Sequence, residues 1–140
     1  MTSMEAYSTA RSGTYSERLA AAAGLALALV LLQLPFRHTV RAVRLARRAG
    51  HRDLDVNRAE ALVSAVRHTS RLYPGRAACM ETSLGSVLAA ALLGQRLEWC
   101  LGARFAPPPV EYHAWPNLPG HGPVGEYTAA SWHHHTALTI

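Results

Sequence analysis

Apolar positions change their period once along the chain, near Gly94. From Leu19 to Leu34 the sequence carries no charge, only Ala, Leu, Val and one glycine broken by Gln33, before Pro35 and Phe36. With Ser16 in front as a cap, this run predicts a hydrophobic helix over Leu19–Leu34. Arg37 to Ala49 sets Val40, Val43 and Ala46 or Arg47 along one side and Arg41, Arg44 and Arg48 on the other, which predicts a basic amphipathic helix stopped by Gly50. A third helix, capped by Asp53 or Asp55, repeats Ala59, Leu62, Val63, Val66 and Ser70 until Tyr73, Pro74 and Gly75. A fourth begins near Cys79 and aligns Leu84, Val87, Leu88, Ala91 and Leu92 before Gly94.

Beyond Gly94 the period becomes two, and strands are expected at Leu97–Phe105, Val110–Trp115, Val124–Thr128 and Ser131–Ile140. Pro107, Pro108 and Pro109 form a stiff connection between the first two, and Gly120 and Gly122 mark a turn. Helices followed by an antiparallel meander give an α+β fold, with N-terminal helices packed on a small antiparallel sheet. Residues 1–15, rich in Ser, Thr and Tyr, read as a disordered terminus. Residues 16–140 read as a single domain with a helical part (16–72) and a catalytic part (73–140).

Composition narrows the function. A chain of 140 residues with 49% hydrophobic and 16% charged residues can bury one core and excludes a multidomain machine. The net charge of +5 rests on 14 basic residues, all arginine. No aromatic platform is interleaved with the cluster Arg37–Arg52, which argues against nucleic acid as a partner. Two cysteines cannot build a disulfide framework, so a reducing cytoplasm is expected. For Leu19–Phe36 the expectation is packing within the domain or against a partner, with peripheral contact with a membrane as its alternative.

Cys79 falls at the first turn of a helix, where unpaired N–H groups and the positive dipole end favour a thiolate. A nucleophilic thiolate needs a base that later returns the proton to the leaving amine, and His113 is the candidate. Strand alternation puts His113 on one face with Glu111 and Trp115, so a helix lying on that face would bring its N-terminus to the imidazole. Spacing alone does not separate this pair from a buried thiol and a core histidine.

The stretch Pro74-Gly75, Cys79-Met80-Glu81-Thr82-Ser83-Leu84, Gly102-Ala103-Arg104 and His113-Ala114-Trp115 resembles the lasso-peptide maturation proteases, cysteine peptidases of the transglutaminase-like superfamily with a papain-like core. The resemblance implies a leader peptidase acting on a ribosomally made precursor peptide, with no cofactor. It implies as partners a separate leader-recognition protein and an ATP-dependent lasso cyclase. Carried over, Cys79 is the nucleophile, His113 the base and then the acid, and the Cys79 N–H an oxyanion donor. Ser83 and Leu84 pack the helix start, and Trp115 shields the imidazole.

Family members usually place an acidic residue about a dozen positions past the histidine, commonly aspartate, but Asp53 and Asp55 are this chain's only aspartates. Glu126 is therefore expected to orient His113, with Asn117 as its competitor, although Pro116 is expected to end or edge the strand before it. Cys100, between Trp99 and Leu101, reads as an inert buried thiol. His133, His134 and His135, with His121, lack the spacing of a metal site, and no metal is expected. Two further functions fit the same residues less closely: a transglutaminase-like acyltransferase or deamidase, and a non-catalytic membrane-associated binding module.

Overall fold

The computed structural model describes residues 15–50, 52–53, 55–71, 79–106, 111–124 and 133–140. Within them the order is α1 (Tyr15–Leu31), α2 (Phe36–Ala49), β1 (Arg52–Asp53), α3 (Val56–Ser70), α4 (Cys79–Leu92), β2 (Gln95–Arg96), β3 (Glu98–Ala106), β4 (Glu111–Leu118), β5 (Gly122–Pro123) and β6 (His133–Thr139). The fold is α+β, four helices with a small antiparallel sheet, as expected. The expectation of disorder over residues 1–15 lies outside the described residues except at Tyr15, which begins α1.

Helix α4 is the axis of the molecule. Every residue from Ser83 to Ala90 is buried, so it is enclosed all round rather than along the single stripe its leucines suggest, and Leu92 is exposed. Small residues make this possible. A Cβ on Gly24 of α1 would stand 2.5 Å from the Gly85 carbonyl oxygen and 2.7 Å from the Ala89 nitrogen, so the α1 and α4 backbones meet where neither has a side chain. Leu62, Val63 and Val66 of α3 and Val43 of α2 complete the same core.

Helix α1 stops at Leu31, three residues short of expectation, as Leu32–Leu34 turn toward Pro35. The buried Thr39 hydroxyl of α2 donates to the Leu31 carbonyl at 3.3 Å and satisfies one of the acceptors left at that helix end. Asp55 is the N-cap residue of α3, yet its side chain makes no capping hydrogen bond. Gly50 does end α2, but for a different reason from the one expected. Its backbone is extended (φ −73°, ψ 119°), and a Cβ there would run into the Gln95 carbonyl of β2. Gly94, at φ 71°, is the residue that ends a helix in the left-handed region.

The sheet departs from a meander. Its order is β5-β4-β3-β6, with β6 returning to the free edge of β3 instead of following β5. Trp99 and Ile140 exchange backbone bonds of 2.9 Å in each direction and anchor that return. A second, two-stranded parallel pair joins β1 to β2 through Arg52 to Gln95 and Asp53 to Arg96. The third expected strand, Val124–Thr128, lies outside the described residues beyond Val124, and the short β5 stands just before it.

Pro116 does not end its strand, which continues to Leu118. Trp99, its partner on β3, directs its own N–H and C=O to Ile140 on the other side. The Trp99–Pro116 pair is thus a non-hydrogen-bonded one, and the missing proline N–H interrupts no bond to β3. The Pro116 carbonyl faces outward and accepts from the Val124 N–H at 2.9 Å.

Candidate functional site

Cys79 is the first residue of α4, where it was expected; its side chain lies outside the described residues. The helix it starts is held to the sheet one turn later. Ser83, buried, donates to the Met80 carbonyl at 3.2 Å and accepts from the Trp99 indole Nε1 at 3.0 Å. Ser83 therefore pins the start of α4 to β3. Trp99 is fully buried, and its ring also meets Phe36, the first residue of α2, at 6.2 Å between centroids. Sequence reasoning missed Trp99 as the lock. A tryptophan in an apolar strand needs a partner for its N–H, and a serine in an apolar helix needs one for its hydroxyl.

His113 stands in β4 directly opposite Gly102 of β3, so no side chain on that neighbour crowds the imidazole. Its ring stacks on Trp115 with centroids 5.9 Å apart and planes 24° apart. His113 is half-buried while Trp115 is 3% exposed, so a buried indole lies against one side of the imidazole. Cys100 lies opposite Trp115, and Asn117 opposite Glu98, on this same face.

The pairing of β3 with β4 has one continuous register, which fixes the two faces. Trp99, Ala114 and Leu118 belong to the core shared with the helices; Trp115 and Cys100 are buried outside it. The body of α4 accordingly packs on the Ala114–Leu118 side. The condition read from the sequence, a helix lying on the face of Glu111, His113 and Trp115, is therefore not met along this stretch.

Asn117 pairs across to Glu98 on one side and Pro123 on the other. Glu126 lies outside the described residues. Cys100 is the buried thiol expected: burial pushes its pKa up, the Thr139 hydroxyl at 3.6 Å from its sulfur opposes that, and Glu98 adds to it. The side chains of His133, His134 and His135 lie outside the described residues, and His121 is exposed in the turn before β5. No helix among the described residues is long and apolar enough to cross a membrane.

A helix start carrying a cysteine and a strand carrying a half-buried, ring-stacked histidine are the parts of acyl transfer through a thioester. No curated protein and no solved structure matches the chain. A sequence model of the transglutaminase-like superfamily matches residues 21–138.

Proposed function

Because the chain belongs to the transglutaminase-like superfamily, whose members are mostly cysteine-dependent enzymes, we propose that it is a cysteine peptidase that removes the leader from a lasso-peptide precursor. The observation that carries this reading is Cys79 at the head of the buried helix α4, in a chain that also holds Gly102 opposite His113 in adjacent strands.

In the proposed reaction the head of α4, beyond the stretch that packs on Ala114–Leu118, brings Cys79 to His113; the imidazole takes the thiol proton and the thiolate adds to the scissile carbonyl. The N–H groups of the first α4 turn receive the oxyanion. The imidazolium then gives its proton to the departing amine, leaving a thioester on Cys79. His113 next deprotonates a water that attacks the thioester, and the thiol and the free carboxylate are released. Trp115 limits the access of other water to the imidazole.

Glu126 is preferred over Asn117 as the orienting group. Asn117 is four residues further along β4, about 13 Å away at the rise of a strand, with Trp115 between it and His113. The Val124 N–H bonds to Pro116, which turns the chain back along β4 just before Glu126. The leader-recognition protein supplies much of the specificity, and the lasso cyclase acts on the released core. The domain forms one unit over residues 16–140 and works in the cytoplasm.

The test is incubation of the chain with a lasso precursor and its recognition protein, read by mass spectrometry. Two fragments whose masses sum to precursor plus water are expected. Cys79→Ala abolishes them, and His113→Ala slows them by about 10²–10⁴-fold. An intact precursor heavier by about one mass unit would identify deamidation of the same acyl-enzyme kind and overturn the peptidase.

A further inference from the structure

On the far side of the sheet from β5, helix α2 and strand β6 enclose a concavity of about 420 Å³. Arg44, Arg47 and Arg48 of α2 and Arg96 of β2 line it, together with Leu138, Thr139 and Ile140. Among the described residues the ion pair in this wall is Arg47 to Glu98, at 3.9 Å, and Arg44 and Arg48 form none. Arg96 is fixed by two bonds from Nε and Nη2 to the Gly50 carbonyl, at 3.2 and 3.1 Å. Four arginines line the concavity and Glu98 pairs with one of them, an excess of positive charge that attracts an anionic ligand.

The opposite wall is a strand edge. Among the described residues β6 is the outer strand of its sheet. Ile140 exchanges its backbone bonds with Trp99, so alternation turns the N–H and C=O of Thr139 outward, into the concavity. Leu138, 40% exposed, and Leu45 of α2, 64% exposed, add apolar surface beside the arginines.

We infer that this concavity binds an extended acidic peptide segment, which adds as a strand along β6 while its carboxylates pair with Arg44, Arg47 and Arg48. Main-chain bonds to Thr139 supply affinity and the guanidinium forks select carboxylates. A phosphate ligand would use the arginines and leave the strand edge and leucines idle. The inference rests on the peptidase reading and adds to it a substrate class: precursors whose leader carries acidic residues at alternate positions.

The experiment uses the full chain carrying Cys79→Ala, so that binding is read without turnover and is independent of whether cleavage occurs. Fluorescence anisotropy follows a labelled decapeptide alternating Glu and Thr, its Lys-Thr counterpart, and the Glu-Thr peptide N-methylated at alternate amides. The Glu-Thr peptide binds at least about tenfold more tightly than either other peptide, and Arg44→Gln with Arg48→Gln weakens it by about tenfold at an unchanged melting temperature. Equal binding of Glu and Lys peptides, or no effect of the arginine changes, overturns the site. Equal binding of the N-methylated peptide overturns strand addition. Displacement by inorganic triphosphate at lower concentration than by unlabelled peptide overturns the peptide assignment in favour of phosphate.

Discussion

Around α4 the chain closes on small residues, with Gly24 and Gly85 facing each other and Ala89 beside them, whereas on the far face of the sheet the buried groups are a tryptophan, a thiol and a half-buried histidine. The first region is specified by how closely backbones approach, and any added atom is felt. The second is specified by which polar and aromatic groups face one another, as in the stacking of His113 on Trp115 and the Cys100–Thr139 contact. Trp99 joins the two, since it sits in the sheet and donates to the helix.

The largest stability change is expected at the tightest contact. Gly24→Ala gains about 1 kcal/mol of helix propensity. It nonetheless places a Cβ 2.5 Å from the Gly85 oxygen, a backbone atom that moves only if the helices part. A net loss of about 2 kcal/mol or more is expected in urea unfolding. Gain of stability would break the claim that close approach specifies this region.

Next comes the link between the regions. Trp99→Phe keeps an aromatic ring but leaves the buried Ser83 without its indole donor, for an expected loss of about 1–2 kcal/mol. Ser83→Ala in the Trp99→Phe background should then cost much less than in the wild type, a double-mutant cycle that strict additivity would contradict.

The smallest effect belongs to Cys100. Burial raises its folded pKa, so with rising pH the unfolded chain ionises first and stability falls from the usual thiol range up to the raised folded value. Below that range the thiol is protonated in both states and contributes no slope. Cys100→Ala should flatten this alkaline decline by under about 1 kcal/mol near pH ~9.5, measured by thermal unfolding across pH. An unchanged slope would show that the far face is open to water.

Local pattern carried the helices well: α2 falls at Phe36–Ala49 against an expected Arg37–Ala49, and α4 starts at Cys79. Partner choice between strands is non-local, and nothing within His133–Thr139 says that it pairs with β3 rather than β5. Pro116 misleads for a related reason, because its cost depends on which neighbour its nitrogen faces, a parity set by Trp99 and Ile140. Gly50 reads as a helix stop from sequence, yet the requirement comes from Gln95, which is distant along the chain. For the site, the helix-start position of Cys79 and the strand position of His113 were legible. The sheet face under α4 was not, since Ala114 and Trp115 are both buried, and the two sides differ in Trp99's bond to Ser83 and in which residues join the helical core.

The central claim is that Cys79 is a nucleophile activated by His113, and it is tested most directly by the rate at which iodoacetamide alkylates each cysteine, followed by peptide mass mapping. At pH ~6.5 Cys79 is expected to react at least about tenfold faster than the buried Cys100, and His113→Ala is expected to remove most of this advantage while the fold melts unchanged. Equal rates at the two cysteines, or a Cys79 rate indifferent to His113→Ala, would contradict it.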